Sequence, residues 1–191
     1  PTNLAVTGIY FLTPIIFDVI KRLKPSWRNE LEITDALDML LNEEHKISYK
    51  MITNYWKDTG TPEDIINANK EVLKNMNSSF EGEKEENVSI EGNIIVGKGT
   101  IIKKNCQIIG PVIIGENCIL EEKSVIGPNV SIGNNVKILK SNIKDSIIME
   151  NCEIINNIKI KNSIISSNSK ISEAENEENV LLLGEGTNIK I

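Results

Sequence analysis

Three cysteines carry the most reactive side chains in this sequence: Cys106, Cys118 and Cys152. A thiolate can act as a nucleophile or as a zinc ligand. No two of these cysteines form a C-x-x-C pair, and an odd number of cysteines cannot all pair in disulfides. The spacing therefore predicts neither a zinc site nor a disulfide framework, and the cysteine positions need another explanation.

A six-residue period in the second half of the sequence supplies that explanation. Every sixth position from residue 90 to residue 138 is aliphatic: Ile90, Val96, Ile102, Ile108, Ile114, Leu120, Ile126, Ile132 and Ile138. A small or β-branched residue stands four positions after seven of these: Thr100, Cys106, Val112, Cys118, Ser124, Val130 and Val136. Glycine directly follows the aliphatic position at Gly97, Gly115, Gly127 and Gly133. The pattern slips near Lys144, resumes at Ile148, Ile154 and Ile160, and fades by Ile171.

This period is typical of a parallel β-helix, in which each six-residue unit forms one short face of a coil. The large aliphatic residue points inward and stacks on its equivalents in the neighbouring coils. The second inward position must be small because the interior narrows near a corner, and glycine relieves backbone strain where the chain bends. All three cysteines occupy the small position, which predicts inert core thiols rather than ligands or nucleophiles. Asparagines are predicted at corners with left-handed backbone: Asn105, Asn117, Asn129, Asn134 and Asn135.

The first part of the sequence has the pattern of a mixed α/β segment. We predict strands at residues 4–12 and 46–56, and helices at residues 15–23, 30–44 and 61–75. Thr13 and Pro14 predict the start of the first helix, and Thr61 and Pro62 predict the start of the third, since threonine caps a helix and proline suits its first position.

The change of period divides the chain into parts. A polar, charged run separates the two patterns and is predicted to be a linker. The predicted parts are an α/β segment at 1–76, a linker at 77–87, a β-helix at 88–172 and a C-terminal tail at 173–191.

Composition and charge argue against several classes of partner. The formal net charge is −6 and there is no stripe of clustered lysine and arginine, which weighs against nucleic acid. No apolar run is long enough to span a bilayer, and the sequence does not open with a secretory signal. We therefore expect a cytoplasmic protein that binds neither nucleic acid nor membrane.

Three segments of the first part resemble, in their order and spacing, the C-terminal part of the catalytic domain of glucose-1-phosphate thymidylyltransferases. They are AVTGIYF at 5–11, RNELEITD at 28–35 and WKDTGTPE at 56–63. The long form of that family continues into a left-handed β-helix, and residues 180–191 are similar to its ending. The resemblance covers nearly the whole chain. It implies an α/β fragment of a nucleotidyltransferase domain followed by a left-handed parallel β-helix with three faces per coil.

The resemblance also implies an activity and a cofactor. Members of the family join dTTP, a nucleoside triphosphate, to glucose 1-phosphate, a sugar 1-phosphate, and give dTDP-glucose and pyrophosphate. Two acidic residues hold Mg²⁺ between the phosphates, and one of them corresponds to Asp58 in the W-x-D-x-G-T motif. A carboxylate suits this role because hard cations prefer oxygen ligands. The alternative is that Asp58 only caps the turn before the helix that begins at Thr61.

Six further residues are placed beside the bound sugar nucleotide by the same resemblance: Val6, Gly8, Tyr10, Arg28, Glu30 and Trp56. Arg28 could pair with a phosphate through both arms of its guanidinium group. Structural roles compete with these assignments: a buried strand for the first three, an acid at a helix start for Glu30, and core packing for Trp56. Asn29 stands where glycine is common in the family, which leaves the local turn open to change.

The family's glycine-rich loop, which cradles the triphosphate, has no counterpart in this sequence. The second metal aspartate, and the glutamate and lysine that grip the sugar, are absent with it. We therefore expect a C-terminal fragment of a longer enzyme that has no nucleotidyltransferase activity alone. No catalytic residue is assigned, and the residues that select the base and the sugar are not in this sequence.

Two other functions remain open. Many β-helices of this kind are acyltransferases that use a histidine of the helix as general base. The one histidine here, His45, precedes the repeats, which disfavours that function. A purely structural or oligomerisation module fits the regular aliphatic array. We expect self-association, because isoleucine-rich edge coils need cover from the tail or from another subunit.

Overall fold

A computed structural model describes residues 4–172 of the protein. The predicted tail at 173–191, including its family-like ending, lies outside the described residues. The chain separates into two compact units, one up to Tyr55 and one from Trp56 onward. Within residues 4–172 no helix has the length and apolar character needed to cross a membrane.

Two helices form the core of the first unit. Helix α1 spans Ile16–Ile20 and helix α2 spans Ile33–Asn42. The buried residues of this core are Ile16, Val19, Ala36 and Leu40. Both helices are shorter than predicted, and α1 begins without a side-chain cap. The predicted Thr13 cap is wrong because the Thr13 carbonyl accepts the Ile16 N–H in a turn that precedes the helix.

The two strands predicted for the first part are not formed. Residues 4–12 and 46–55 contain no strand, and the first of these runs is largely exposed, with Phe11 97% accessible. A strand needs main-chain hydrogen bonds to a neighbour, and no other strand lies in this described segment to provide them. The apolar residues in these two segments therefore do not form buried, paired strands in this structure.

The second unit opens with helix α3, which spans Pro62–Lys74. Its start is as predicted: the Asp64 N–H donates to the Thr61 hydroxyl at 3.2 Å, and Pro62 takes the first helical position. Lys74 in the last turn pairs with Glu71. The strong local signal at Thr61 and Pro62 explains why the start of this helix was predicted correctly.

A parallel β-helix makes up the rest of the second unit, with seventeen short strands between Ser79 and Ser172 in the described chain. Sheet A contains β1 (Ser79–Phe80), β4 (Ile94–Val96), β7 (Val112–Ile114), β10 (Val130–Ile132), β13 (Ile147–Ile148) and β16 (Ile164–Ile165). Sheet B contains β2 (Glu83–Lys84), β5 (Ile101–Ile102), β8 (Ile119–Leu120), β11 (Lys137–Leu139), β14 (Glu153–Ile155) and β17 (Lys170–Ser172). Sheet C contains β3 (Ser89–Glu91), β6 (Gln107–Ile109), β9 (Val125–Ile126), β12 (Asn142–Lys144) and β15 (Lys159–Lys161). The chain visits the three sheets in turn, which confirms the predicted parallel β-helix.

The predicted inward residues form one continuous core. All the aliphatic positions from Val96 to Ile138 are buried, and so are the seven small positions. Each stacks on its equivalent in the next coil, as Ile102 does on Leu120 and Ile108 on Ile126. Ile90, in the first coil, is only partly buried because it has a neighbour on one side alone.

The slip in the period consists of two shortened faces. Ile143, which the six-residue count missed, is a fully buried inward residue five positions after Ile138 and five before Ile148. The repeat has not faded at Ile171, since Ile171 pairs with Ile154 and packs against the core. The corners Lys140 and Asp145, both at positive φ, each take one residue fewer than a regular corner.

The predicted linker belongs to the first coil. Residues 79–80 and 83–84 of the run at 77–87 form β1 and β2, which pair with β4 and β5. Phe80 and Lys84 lie opposite the inward Val96 and Ile102, so two inward positions of this coil are not aliphatic. A terminal coil packs against a neighbouring coil on one side only, so its inward positions need not be aliphatic. The six-residue pattern is therefore not visible in this part of the sequence.

Glycines follow the inward aliphatic residue for a reason other than the predicted strain relief. A Cβ on Gly115 would lie 2.7 Å from the backbone carbon of Gly133 in the next coil, and Gly97 and Gly133 are equally crowded. Only Gly127 among these four combines such crowding with a positive φ, of 104°. Close approach of stacked coils therefore selects glycine at most of these corners.

Asparagine takes the left-handed backbone at most of the predicted corners. Asn105, Asn117, Asn129 and Asn135 all have φ between 54° and 60°. Asn134 is the exception and does not have positive φ; its side-chain oxygen instead accepts the Glu116 N–H at 2.8 Å. The short amide side chain serves both purposes because it bonds to nearby backbone.

The crowding at Gly115 gives a direct test of the stacking. We expect Gly115→Ala to lower the free energy of unfolding by about 1–3 kcal/mol, the usual cost of overpacking. Gly60→Ala is the matched control, because a Cβ there meets no atom within 4 Å. Urea unfolding followed by circular dichroism in the β-sheet region measures both. Equal stability of the two variants would contradict the close-approach explanation.

Candidate functional site

The predicted site residues are divided between the two compact units. Val6, Gly8, Tyr10, Arg28 and Glu30 lie in the first unit, and Trp56 and Asp58 lie in the second. Each group is therefore described within its own unit.

The segment that carries Val6, Gly8 and Tyr10 is open. Val6 is exposed, Tyr10 is half-buried, and no atom lies within 4 Å of where a Cβ on Gly8 would stand. Gly8 has a φ of 76°, a backbone conformation that favours glycine. The competing structural role, an ordinary buried strand, is wrong in this structure, and the predicted contact with a sugar nucleotide stays a prediction.

Arg28 is held by a carboxylate next to helix α2. Its Nε and Nη2 atoms donate to Glu32 Oε1 at 3.1 and 2.6 Å, and Ser26 Oγ donates to the same oxygen at 3.0 Å. Hydrogen bonds from Arg28 and then Ser26 hold the pKa of the Glu32 carboxyl below its usual value. The Nη1 donors of Arg28 take no part in this pair, so an anion could still be bound beside it.

Glu30 and Asn29 shape the turn before α2. The Glu30 carbonyl accepts the Ser26 N–H at 2.8 Å, while its side chain is exposed. Asn29 has a φ of 61°, a conformation that glycine also adopts readily. Asparagine at this position is thus compatible with the turn expected from the family motif. Glu30 stands three residues before Ile33, where α2 begins, so its predicted place within a helix from residue 30 is wrong.

Trp56 and Asp58 lie in the loop that leads into α3. Trp56 is 47% exposed, so it does not fill a core. Asp58 is exposed, and its carboxylate makes no hydrogen bond or ion pair with any residue between 4 and 172. The cap of α3 is Thr61, with Asp64 as its partner, and the turn-capping alternative for Asp58 receives no support from these contacts.

The loop is fixed on both sides of Asp58. Lys57 Nζ lies 3.0 Å from Asp64 Oδ1, and the Thr61 hydroxyl donates to Asp64 Oδ2 at 2.7 Å. The hydrogen bonds from Thr61 and then Lys57 hold the pKa of the Asp64 carboxyl below its usual value. Asp64 therefore stays ionised and ties the loop to the first turn of α3, leaving the neighbouring Asp58 carboxylate open to solvent.

A single exposed carboxylate can supply one oxygen to a magnesium ion but does not make a complete site. Among the described residues there is no group of three or more histidine, cysteine, aspartate or glutamate side chains that could hold a metal. Mg²⁺ is commonly held by one or two carboxylates together with water and substrate phosphates. The exposed carboxylate of Asp58 could serve as one such ligand.

The thiols of the β-helix are structural. Cys106, Cys118 and Cys152 are buried, and their Sγ atoms lie 3.0–3.1 Å from the carbonyl oxygens of Glu121, Gly133 and Ser166. Burial raises the pKa of all three thiols. A thiol that stays protonated is a poor nucleophile and a poor ligand, which agrees with the predicted core role.

Contacts between α3 and the β-helix were missed by the sequence analysis. Ser131 Oγ donates to Asn69 Oδ1 at 2.6 Å, and Lys70 Nζ lies 3.1 Å from Asp145 Oδ1. The available signal was the spacing of Ile66 and Leu73, which puts one apolar stripe along α3. Nothing in the sequence indicated which surface that stripe would meet.

Comparison with known proteins gives two family matches and several relatives. Residues 1–75 match the model described as nucleotidyl transferase, and residues 108–191 match the model described as GMPPB C-terminal domain. The whole chain is 36% identical to a low-salt glycan biosynthesis nucleotidyltransferase of Haloferax volcanii and covers 54% of it. It is 34% identical to a glucose-1-phosphate thymidylyltransferase of Streptomyces antibioticus and covers 53% of it.

A third relative is similar over most of the chain. The bifunctional protein GlmU of Methanococcus maripaludis is 43% identical over 87% of this chain, which covers 41% of that protein. The chain thus spans about half the length of the curated relatives it matches. The chain therefore combines a segment similar to nucleotidyl transferases, at residues 1–75, with a parallel β-helix that follows it.

Proposed function

We propose that this chain is the C-terminal part of a sugar-phosphate nucleotidyltransferase, and that the whole enzyme joins dTTP to glucose 1-phosphate and releases pyrophosphate. The observation that carries the proposal is the W-K-D-T-G-T-P loop, in which Lys57 and Thr61 are anchored to Asp64 while Asp58 is left exposed. The similarity to a glucose-1-phosphate thymidylyltransferase over the full chain supports the choice of substrates.

In this proposal Asp58 supplies one carboxylate oxygen to a magnesium ion. The ion would neutralise negative charge on the phosphates, which is the contribution that a divalent cation makes in phosphoryl transfer. The chain's own residues would bind and orient the substrates. Val6, Gly8 and Tyr10 would line the sugar nucleotide along an open segment, Trp56 would offer an exposed ring, and Arg28 would offer its unused Nη1 donors to a phosphate.

The exposed apolar surface of the first unit supports the idea that further protein completes the domain. Phe11 and Trp27 are more than 90% exposed, and Leu4, Val6 and Ile9 are also exposed. A single apolar residue at the surface is ordinary, but many large ones exposed in one small unit favour a surface that another segment covers. The remaining part of a nucleotidyltransferase domain is the occupant that this proposal requires.

A purely structural role is the second candidate for the β-helix itself. Its interior is a continuous apolar stack with buried thiols, and the repeats contain no histidine that could act as an acyltransferase base. The helix would then act as a rigid support that assembles copies of the enzyme, with its partly exposed end coil at Phe80 needing cover.

The first prediction concerns activity. We expect the purified chain to release no pyrophosphate from dTTP and glucose 1-phosphate in the presence of Mg²⁺, because it lacks a glycine-rich loop to bind the triphosphate. A longer enzyme that contains this chain should release pyrophosphate under the same conditions. Turnover by the chain alone, at a rate similar to that of the longer enzyme, would contradict the proposal.

The second prediction concerns Asp58. In the longer enzyme we expect Asp58→Asn to lower kcat/KM at least about tenfold, since loss of a metal ligand costs no less than loss of its supporting contacts. Glu63→Gln is the control, because Glu63 is an exposed acid in the first turn of α3. Should both variants keep the activity of the parent enzyme, the assignment of Asp58 would be wrong.

The third prediction concerns assembly. We expect the 191-residue chain to self-associate through its β-helix, and sedimentation velocity over a range of concentrations measures this. Phe80→Lys should reduce association if the first coil is the surface involved, since it places a charge on an exposed apolar end. A chain that stays monomeric at high concentration would rule out assembly by this domain.

A further inference from the structure

Helix α3 lies in the nucleotidyl transferase segment of the sequence but packs with the β-helix in the structure. Its residues, Pro62–Lys74, fall inside the segment that matches the nucleotidyl transferase model. In the structure they form one compact unit with the β-helix. The helix thus joins the loop of Asp58 to the β-helix, and the nature of that joint decides whether the β-helix can influence the loop.

One face of α3 rests on the β-helix. Ile66, Asn69, Lys70 and Leu73 follow the spacing of a single helix face. Ile66 is 7% exposed and Leu73 is 1% exposed, although neither belongs to the interior core of the β-helix or to the core of the first unit. The polar contacts of Asn69 and Lys70, which lie between these two residues, identify the covering surface as the outside of the β-helix.

The receiving surface of the β-helix changes character where α3 meets it. The outward column of sheet A is isoleucine at four of its positions, Ile95, Ile113, Ile147 and Ile164. Ser131 stands in register between Ile113 and Ile147 and donates its hydroxyl to Asn69. Ser79 is the other polar residue of this column but stands at its end, in the first coil. Ser131 alone has isoleucine on both sides within the described column, which gives the helix one defined position along it.

Asp145 supplies the second fixed point. It lies at a corner of the β-helix, where Asn129 Nδ2 donates to its Oδ1 atom at 2.9 Å and Lys70 binds the same oxygen. Partial burial would by itself raise the pKa of the Asp145 carboxyl, but the bonds from Asn129 and Lys70 hold it below the usual value. The carboxylate is therefore oriented by the β-helix before Lys70 binds it.

Two directional contacts fix a helix more closely than apolar packing would. The Nδ2 atom of Asn69 is buried without a hydrogen-bond partner among the described residues, which costs stability. Buried polar groups kept at such a cost are best known for fixing the register of packed elements. The contacts of Asn69 and Lys70 would fix the position of α3 on the β-helix in the same way.

We infer that the β-helix holds Asp58 in position through α3, and that Lys70 and Asp145 are positioning residues for that carboxylate. The path is continuous within the second unit: Asp145 binds Lys70, α3 runs back to its cap at Thr61, and Asp64 binds Lys57 beside Asp58. The inference rests on the proposed function for its catalytic consequence, while the mechanical coupling stands on the contacts alone.

The test uses Lys70→Glu, which places two carboxylates together at Asp145. In the 191-residue chain we expect amide hydrogens of residues 61–74 to exchange at least about tenfold faster, since loss of docking favours local opening. In the longer enzyme we expect the Mg²⁺ concentration for half-maximal rate to rise about tenfold, the factor that corresponds to about 1.4 kcal/mol. Lys70→Arg should leave both values within about twofold of those of the unmodified protein, because it keeps a positive charge beside Asp145.

Lys170→Glu is the matched control, because it removes an exposed ion pair with Glu153 elsewhere on the β-helix. It should leave exchange at 61–74 and the Mg²⁺ dependence unchanged. Unchanged exchange in Lys70→Glu would overturn the coupling, and faster exchange with an unchanged Mg²⁺ dependence would overturn the positioning of Asp58. Failure of the proposed function shows itself separately, as absence of turnover in the unmodified longer enzyme.

Discussion

The close spacing of stacked coils is the constraint on which the second unit depends. Hydrogen-bonded parallel strands lie about 4.8 Å apart, so every coil must repeat the backbone path of its neighbour. Where the chain turns a corner this leaves no room for a Cβ, and Gly97, Gly115 and Gly133 stand at such points. Where the backbone must enter the left-handed region, asparagine takes most of the places. The interior must be filled by residues that stack on copies of themselves, which is why isoleucine dominates it.

The same constraint keeps chemistry out of the β-helix. An interior packed with self-stacking aliphatic residues leaves no room for a substrate, and the thiols within it have raised pKa values and lie against carbonyl oxygens. Function must therefore reside on the outside of the helix or on what is attached to it. The one attachment within the described second unit is α3, whose polar contacts at Ser131 and Asp145 interrupt an otherwise regular outer surface. This arrangement supports a view of the β-helix as a frame that holds the loop of Asp58.

In the earlier part of the chain, the feature that depends on neighbouring residues was predicted correctly, and the features that depend on distant partners were not. The start of α3 was predictable because Thr61 and Pro62 act within one turn of the helix, without help from the rest of the protein. The strands predicted at residues 4–12 and 46–56 depended on partners elsewhere in the chain, and no strand within residues 4–172 pairs with either segment. The linker predicted at 77–87 failed for a related reason, since a terminal coil with Phe80 and Lys84 at inward positions lacks the aliphatic repeat.

The sequence by itself determined the parallel β-helix, the burial of its three cysteines and the exact cap of α3, because a repeat of period six and a helix cap are written in residues close together along the chain. It also carried the motif that marks Asp58. Only the tertiary structure decided that Asp58 stands exposed between anchored neighbours, that Arg28 is held by Glu32, and that α3 packs on the β-helix. These features join residues such as Asn69 and Ser131 that are far apart in sequence, and no local preference of either residue specifies its partner.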